Sequence, residues 1–163
     1  MPKVKVNDIE MYYEIHGEGE PLVLLHGYFC SSQHWNHFIP EFRERFQLII
    51  PDLRGHGRTT NPSDELTGRQ VALDVFKLLD HLNIEHIKGM GFSAGGEALL
   101  HMATQQPERI QSMILDGTTP YDTKEAREFR AQFTIEDVPF RQNHIYGEAQ
   151  VRKLYEHRMH ARA

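Results

Sequence analysis

Gly91-Phe92-Ser93-Ala94-Gly95 is the stretch on which the reading of this sequence turns. It follows the apolar run at residues 87–90 and precedes a segment where Ala98, Leu99, Met102 and Ala103 recur at helical spacing, ended by Pro107. A serine therefore stands where a strand turns sharply into a helix. Such a turn forces its central residue into strained backbone, and glycines two residues to either side remove side chains that would collide with it. The Ala94 N–H, at the head of the helix, has no intrahelical acceptor and lies at the positive end of the helix dipole, where an oxyanion would be stabilised. Gly-x-Ser-x-Gly is the pattern of a nucleophile elbow. Taken alone, five residues also fit a glycine-rich turn without chemistry.

Two further motifs narrow the choice. His26-Gly27 closes the apolar run Leu22-Val23-Leu24-Leu25, which reads as a buried strand entering a tight turn whose amides at Tyr28 and Phe29 face outward. Pro51-Asp52-Leu53-Arg54-Gly55-His56-Gly57-Arg58 follows a second run, Leu48-Ile49-Ile50, with Trp35 between the two. His-Gly, then Asp-x-Arg-Gly-x-Gly, then Gly-x-Ser-x-Gly, each after a strand and in that order, resembles the N-terminal part of the α/β-hydrolases over roughly residues 3–120. The resemblance implies that Ser93 is the nucleophile, that the Tyr28 and Ala94 amides form the oxyanion hole, and that an ester-like small molecule reacts through an acyl-enzyme without a cofactor. Serine at the elbow argues against the haloalkane dehalogenase and epoxide hydrolase chemistries of this family, which need a carboxylate there. Ester hydrolysis leads, ahead of carbon–carbon bond hydrolysis and cofactor-free perhydrolysis. The extended His-Gly-Gly loop of the iminopeptidase relatives is not found, which disfavours a peptidase.

In this family the triad runs in the chain order Ser, acid, His, the last two on loops after later strands. No second apolar strand followed by Gly-Asp and no terminal Gly-His segment is visible up to Ala163. The expectation is a chain cut inside the cap segment of a longer hydrolase, with the competing possibility that acid and base are recruited elsewhere. Asp116, at the C-terminal end of a predicted strand, is the natural candidate acid. The alternative is that its carboxylate merely holds the following Gly117-Thr118-Thr119 turn.

No histidine in the sequence is comparably well placed. His101 lies eight residues after Ser93 on one predicted helix, about 12 Å along the axis and out of hydrogen-bond reach. His26 and His56 are expected to hold their turns by hydrogen bonds. His144, His157 and His160 fall in the tail, where solvated helix surface is their expected fate. Neither the His34/His37 pair nor the His157/His160 pair has the glutamate and third ligand of a zinc signature, so no metal site is expected.

The strand pattern extends outward from these motifs. Residues 4–6 and 9–15 read as a hairpin about Asn7-Asp8, followed by short runs at 22–25, 48–50, 87–90 and 113–115, separated by helix-length segments. Val71, Val75, Leu78, Leu79 and Leu82 place a helix over 68–83 with one face on the sheet. The fold class is α/β: a doubly wound, mostly parallel sheet with helices on both faces, lacking the C-terminal strands, with a helical cap-like tail. The core spans 1–120 and the cap segment 121–163. The tail is rich in aromatics (Phe129, Phe133, Phe140, Tyr146, Tyr155), and the resemblance implies that such a cap shapes an apolar substrate pocket.

Of the 163 residues, 39% are hydrophobic and 25% charged, ordinary for one globular domain. A net charge of −5 with no Lys/Arg cluster gives neither nucleic acid nor an anionic membrane electrostatic support as a partner. The single cysteine, Cys30, excludes an internal disulfide framework and reads as a small residue filling a turn. No long apolar stretch opens the chain, so no signal peptide or membrane span is expected and the cytoplasm is the default. A sheet that ends at the 110–116 strand exposes an apolar edge, which predicts self-association through that edge, as a homodimer or as aggregates.

Overall fold

A computed structural model of the chain describes residues 2–63 and 66–118. The chain starts as a hairpin, β1 (Lys3–Val6) and β2 (Ile9–His16), with Val6 opposite Ile9 and Asn7 in the left-handed region at φ 50°. A two-residue turn with positive φ matches the twist of the strands it joins, and asparagine tolerates it. The remaining strands are β3 (Glu20–Leu25), β4 (Phe46–Pro51), β5 (Ile87–Phe92) and β6 (Ile110–Asp116). They form one six-stranded sheet in the order β1-β2-β4-β3-β5-β6. The pairings β1/β2 and β2/β4 are antiparallel, while β4/β3, β3/β5 and β5/β6 are parallel.

This order explains the continuous apolar runs. Leu22 to Leu25 on β3 and Leu48 to Ile50 on β4 are buried without alternation, because both faces of the central strands are covered. One face carries α2 (Gly68–His81) and α3 (Ala94–Gln105), whose Val75, Leu79, Leu99 and Met102 pack with Val23, Leu25 and Ile49. On the other face Trp35 packs with Leu22, Leu24, Leu48 and Ile50, flanked by Ile39 and Phe42. Both faces are covered as expected; among the described residues the second is covered only by a 3-10 turn (Ser32–Trp35) and the single-turn α1 (Ile39–Phe42).

Thr67 starts α2 with a capping box: its hydroxyl accepts the Gln70 N–H, and the Gln70 side chain accepts the Thr67 N–H at 3.0 Å. The helix stops at His81, short of the 68–83 expected, because Asn83 turns left-handed at φ 56°. Strand β6 begins at Ile110, earlier than the apolar run at 113–115. It is barely covered: Met113, Ile114 and Leu115 are 38%, 61% and 36% exposed, and its outer edge has no strand partner among the described residues. The proposed cap at 121–163, with its five aromatics and three histidines, lies outside the described residues.

Candidate active site

The parallel strands β3, β4, β5 and β6 all end at the same edge of the sheet, and each of the sequence motifs lies just beyond one of those ends. This is the edge where open α/β sheets meet their ligands. Ser93 joins β5 to α3 at φ 51° and ψ −112°, a conformation that costs a serine on the order of 1–3 kcal/mol. Three hydrogen bonds hold it there. The Ser93 N–H donates to the Asp116 carbonyl at 2.8 Å, and the Ser93 carbonyl accepts from the Glu97 N–H and from the Thr118 hydroxyl, both at 3.1 Å.

The flanking glycines are dictated by sterics. A Cβ on Gly91 would sit 2.5 Å from the Gly96 nitrogen, and one on Gly95 would collide with the Leu25 carbonyl oxygen, backbone that cannot swing aside. The elbow is therefore clamped between the end of β3 and the end of β6. Ser93 is half-buried rather than fully presented, and among the described residues its hydroxyl has no hydrogen-bond partner.

The structure brings Tyr28 and Ala94 together: both line one small notch, with Gly27, Leu53, His56, Leu66, Gly68, Val71 and Glu97 around it. Ala94 is the first residue of α3, so its N–H finds no acceptor within the helix. The turn after β3 is tight, with Phe29 at φ 61° and the Cys30 N–H donating to the Gly27 carbonyl at 3.3 Å. Burial pushes the Cys30 thiol up, which fits a turn filler rather than a nucleophile.

His26 is the post of this loop. Its Nε2 accepts the Leu53 N–H at 3.0 Å, so Nδ1 carries the hydrogen and donates to the Gly27 carbonyl at 2.8 Å. Full burial holds its pKa well below the ordinary value, and it stays a neutral strut between the turns after β3 and β4. His56 does the same in its own loop, with Nδ1 2.8 Å from the Arg54 carbonyl and a pKa lowered by burial to about 4.

The Asp-x-Arg-Gly-x-Gly segment is bracing. Asp52 accepts the Ser32 N–H at 2.6 Å and the Arg58 N–H at 2.8 Å, tying the turns after β3 and β4 to each other. Arg54, 3% exposed, makes a two-pronged pair with Asp74 at 2.7 and 2.9 Å and reaches Asp8 of the hairpin turn at 2.6 Å. Arg58 lies 3.4 Å over the Tyr12 ring and bonds Glu14 at 3.2 Å.

Asp116 stands at the end of β6, as expected. The turn after it is held by its main chain, since the Asp116 carbonyl accepts from both Ser93 N–H and the Thr118 hydroxyl at 3.2 Å.

One residue was not singled out as neighbouring the elbow. His34 stacks on Phe92 at 4.9 Å between centroids with planes 15° apart, and meets Trp35 edge-on at 4.9 Å. His34 and Phe92 are 58 residues apart, and no local pattern announces the contact. His37, by contrast, is exposed, and His101 faces Gly68 of α2. Among the described residues no cluster of three or more His, Cys, Asp or Glu is arranged to hold a metal, and no helix is long and apolar enough to cross a membrane.

A strained serine between a strand and a helix, beside a His-Gly turn at the carboxyl edge of a β1-β2-β4-β3-β5-β6 sheet, defines a class, and residues 20–136 match the family described as alpha/beta hydrolase fold. The chain belongs to that family. It is 34% identical over 115 residues to the soluble epoxide hydrolase of Corynebacterium sp. (strain C12), covering 71% of this chain and 40% of that protein. It is 32% identical over 114 residues to the pimeloyl-[acyl-carrier protein] methyl ester esterase of Nitrosomonas europaea, covering 68% of this chain and 42% of that one. A solved thermophilic esterase from Thermogutta terrifontis superposes with a TM-score of 0.74 at 30% identity, covering 81% of this chain and 52% of its own. The chain spans about two fifths of the length of these curated relatives.

Proposed function

We propose that this chain carries the nucleophile of a serine hydrolase acting on an apolar, ester-like small molecule through an acyl-enzyme on Ser93. The observation that carries the reading is the backbone of Ser93: φ 51° and ψ −112°, fixed by the Asp116 carbonyl on one side and by glycines without room for a Cβ on the other. Strain of this kind persists only where surrounding structure enforces it, and it clusters at reacting groups. In the proposed reaction the Ser93 hydroxyl adds to the ester carbonyl, the oxyanion is held by the Tyr28 and Ala94 amides, and the hydroxyl proton passes to an imidazole and then to the leaving alcohol. Water hydrolyses the acyl-enzyme by the same path reversed.

The relatives' names divide between epoxide hydrolase and ester hydrolase. Ser93 favours the second, because opening an epoxide through an alkyl-enzyme ester takes a carboxylate at the elbow. The aromatics of residues 121–163 favour an apolar acyl or alcohol group. The test is titration of the 163-residue chain with a fluorophosphonate probe beside Ser93→Ala and a p-nitrophenyl ester assay. Stoichiometric labelling that disappears in the variant is expected, and a folded protein that takes up no probe refutes the reading.

A second reading, from a different class, is a binding module that self-associates through β6. The exposed Met113, Ile114 and Leu115 and the unpaired edge favour it. Light scattering after size exclusion would show a dimer at micromolar concentration, and a monomer at high concentration removes this reading.

A further inference from the structure

Resting on the reading of Ser93 as the nucleophile, we propose that the notch beside Tyr28 and Ala94 receives the acyl half of the ester, admits an acetyl group and little larger, and owes that limit to Leu66 and Val71. The cavity is about 10 Å³, room for one water-sized or methyl-sized group. Its position ties it to the reacting carbonyl. Tyr28 and Ala94, whose amides would hold the oxyanion, are themselves two of its walls, so a carbonyl oxygen between those amides leaves its carbon at the mouth of the notch.

The remaining walls decide what enters. Leu53, Leu66 and Val71 are buried and belong to the main core cluster, with Leu25, Val75 and Phe76. A water needs two to four polar partners, and walls of this kind suit a methyl group better. The one carboxylate in the lining among the described residues, Glu97, disfavours an anionic acyl chain. The limit on size is firm, because core side chains are packed to crystal-like density and yield little to an added methylene. The Tyr28 wall is braced as well, its ring lying 5.7 Å from that of the buried His56.

A floor made of core residues also assigns the notch to the acyl half rather than to the alcohol. In the first step Ser93 Oγ bonds to the carbonyl carbon, the bond to the alcohol oxygen breaks, and the alcohol departs with the proton. Water must then take the alcohol's place. A group shut in against the core cannot clear the site for that water, whereas the acyl group stays bonded to Ser93 until water has added and the acid leaves. The larger, apolar part of the substrate is accordingly the alcohol.

The experiment is the rate of p-nitrophenol release by the full 163-residue chain from the acetate, butyrate and hexanoate esters, for wild type, Leu66→Ala, Val71→Ala and Val71→Ile. Release reports acylation, so turnover is not required. One methylene in a fitted apolar pocket is worth about 10- to 200-fold, so wild type should favour acetate over butyrate at least tenfold. Leu66→Ala and Val71→Ala, which deepen the notch, should lower that ratio about fivefold or more, and Val71→Ile, which fills it, should raise it. The ratio is the readout because a merely structural defect slows both esters alike. Should Leu66→Ala not fold, the two conservative changes at Val71 decide. A wild type that a fluorophosphonate labels at Ser93, but that releases p-nitrophenol from butyrate as fast as from acetate, or from neither, overturns this proposal and leaves the Ser93 reading standing. A ratio unchanged in the variants does the same. A folded wild type that is neither labelled nor acylated overturns both.

Discussion

Replacing His56 by glutamine should flatten the loss of stability that the wild-type chain suffers on mild acidification. His56 is fully enclosed in the loop after β4, and burial lowers its pKa from 6.5 to about 4. The folded value lies below the unfolded one, so between those two values the unfolded chain binds the extra proton and stability falls as the pH falls. At about 1.36 kcal/mol per pH unit the whole effect is about 3.4 kcal/mol below pH 4, and about 2 kcal/mol of it is already lost at pH 5. That is a large share of the 5–15 kcal/mol typical of a domain. His26, also lowered by burial, acts in the same direction but is present in both proteins. Carboxylates such as Asp8, held low by its hydrogen bond from Arg54, lose their contribution only below about pH 4, so pH 5 keeps them out of the comparison. The measurement is urea unfolding of wild type and His56→Gln at pH 7.5 and pH 5.0. Glutamine retains an N–H for the Arg54 carbonyl and has no charge to gain, so wild type should lose about 2 kcal/mol more than the variant. Equal losses would show that His56 titrates alike in both states and that its enclosure has no electrostatic consequence.

Other perturbations follow from the same geometry. Gly95→Ala should destabilise by about 1–3 kcal/mol, read as the urea midpoint, because the new Cβ meets the Leu25 carbonyl rather than a flexible side chain. Asp74→Ala strands the buried Arg54 guanidinium and should cost about 3–5 kcal/mol, whereas Arg54→Met with Asp74→Leu should cost clearly less; equal losses would contradict the account of the clamp. Ser93→Gly relieves a backbone that suits glycine and should raise the thermal midpoint, by about 1 kcal/mol in stability, while abolishing labelling.

Much of the fold was legible because its signals are local. Uninterrupted apolar runs such as Leu22 to Leu25 marked strands covered on both faces, the Asn7-Asp8 turn marked the hairpin, and glycines two residues either side of Ser93 marked the tight approach of α3 to the end of β3. Boundaries slipped where the deciding contact is distant or conformational. Helix α2 stops where Asn83 turns left-handed. At the candidate site, Ser93, Tyr28, Ala94 and Asp116 all fell where the strand ends put them, since a motif after a strand names its own location. His34 did not, since its position depends on a ring 58 residues away. The part that the Asp116 main-chain carbonyl plays, accepting the Ser93 N–H, was likewise not legible, because a backbone carbonyl leaves no trace in residue identity.

The hydrogen bond from the Ser93 N–H to the Asp116 carbonyl gives the elbow a lifetime as well as a shape. Proteins open locally in units whose free energy follows their burial, and β6 is a poorly covered strand at the margin of the sheet. Each time that strand frays, the Ser93 amide loses its acceptor and the strained backbone is free to relax. Exchange of that amide hydrogen with solvent should therefore keep pace with the amides of β6 rather than with those of the deeply packed β5, and whatever binds along the outer strand lengthens the time the serine spends in its reactive posture.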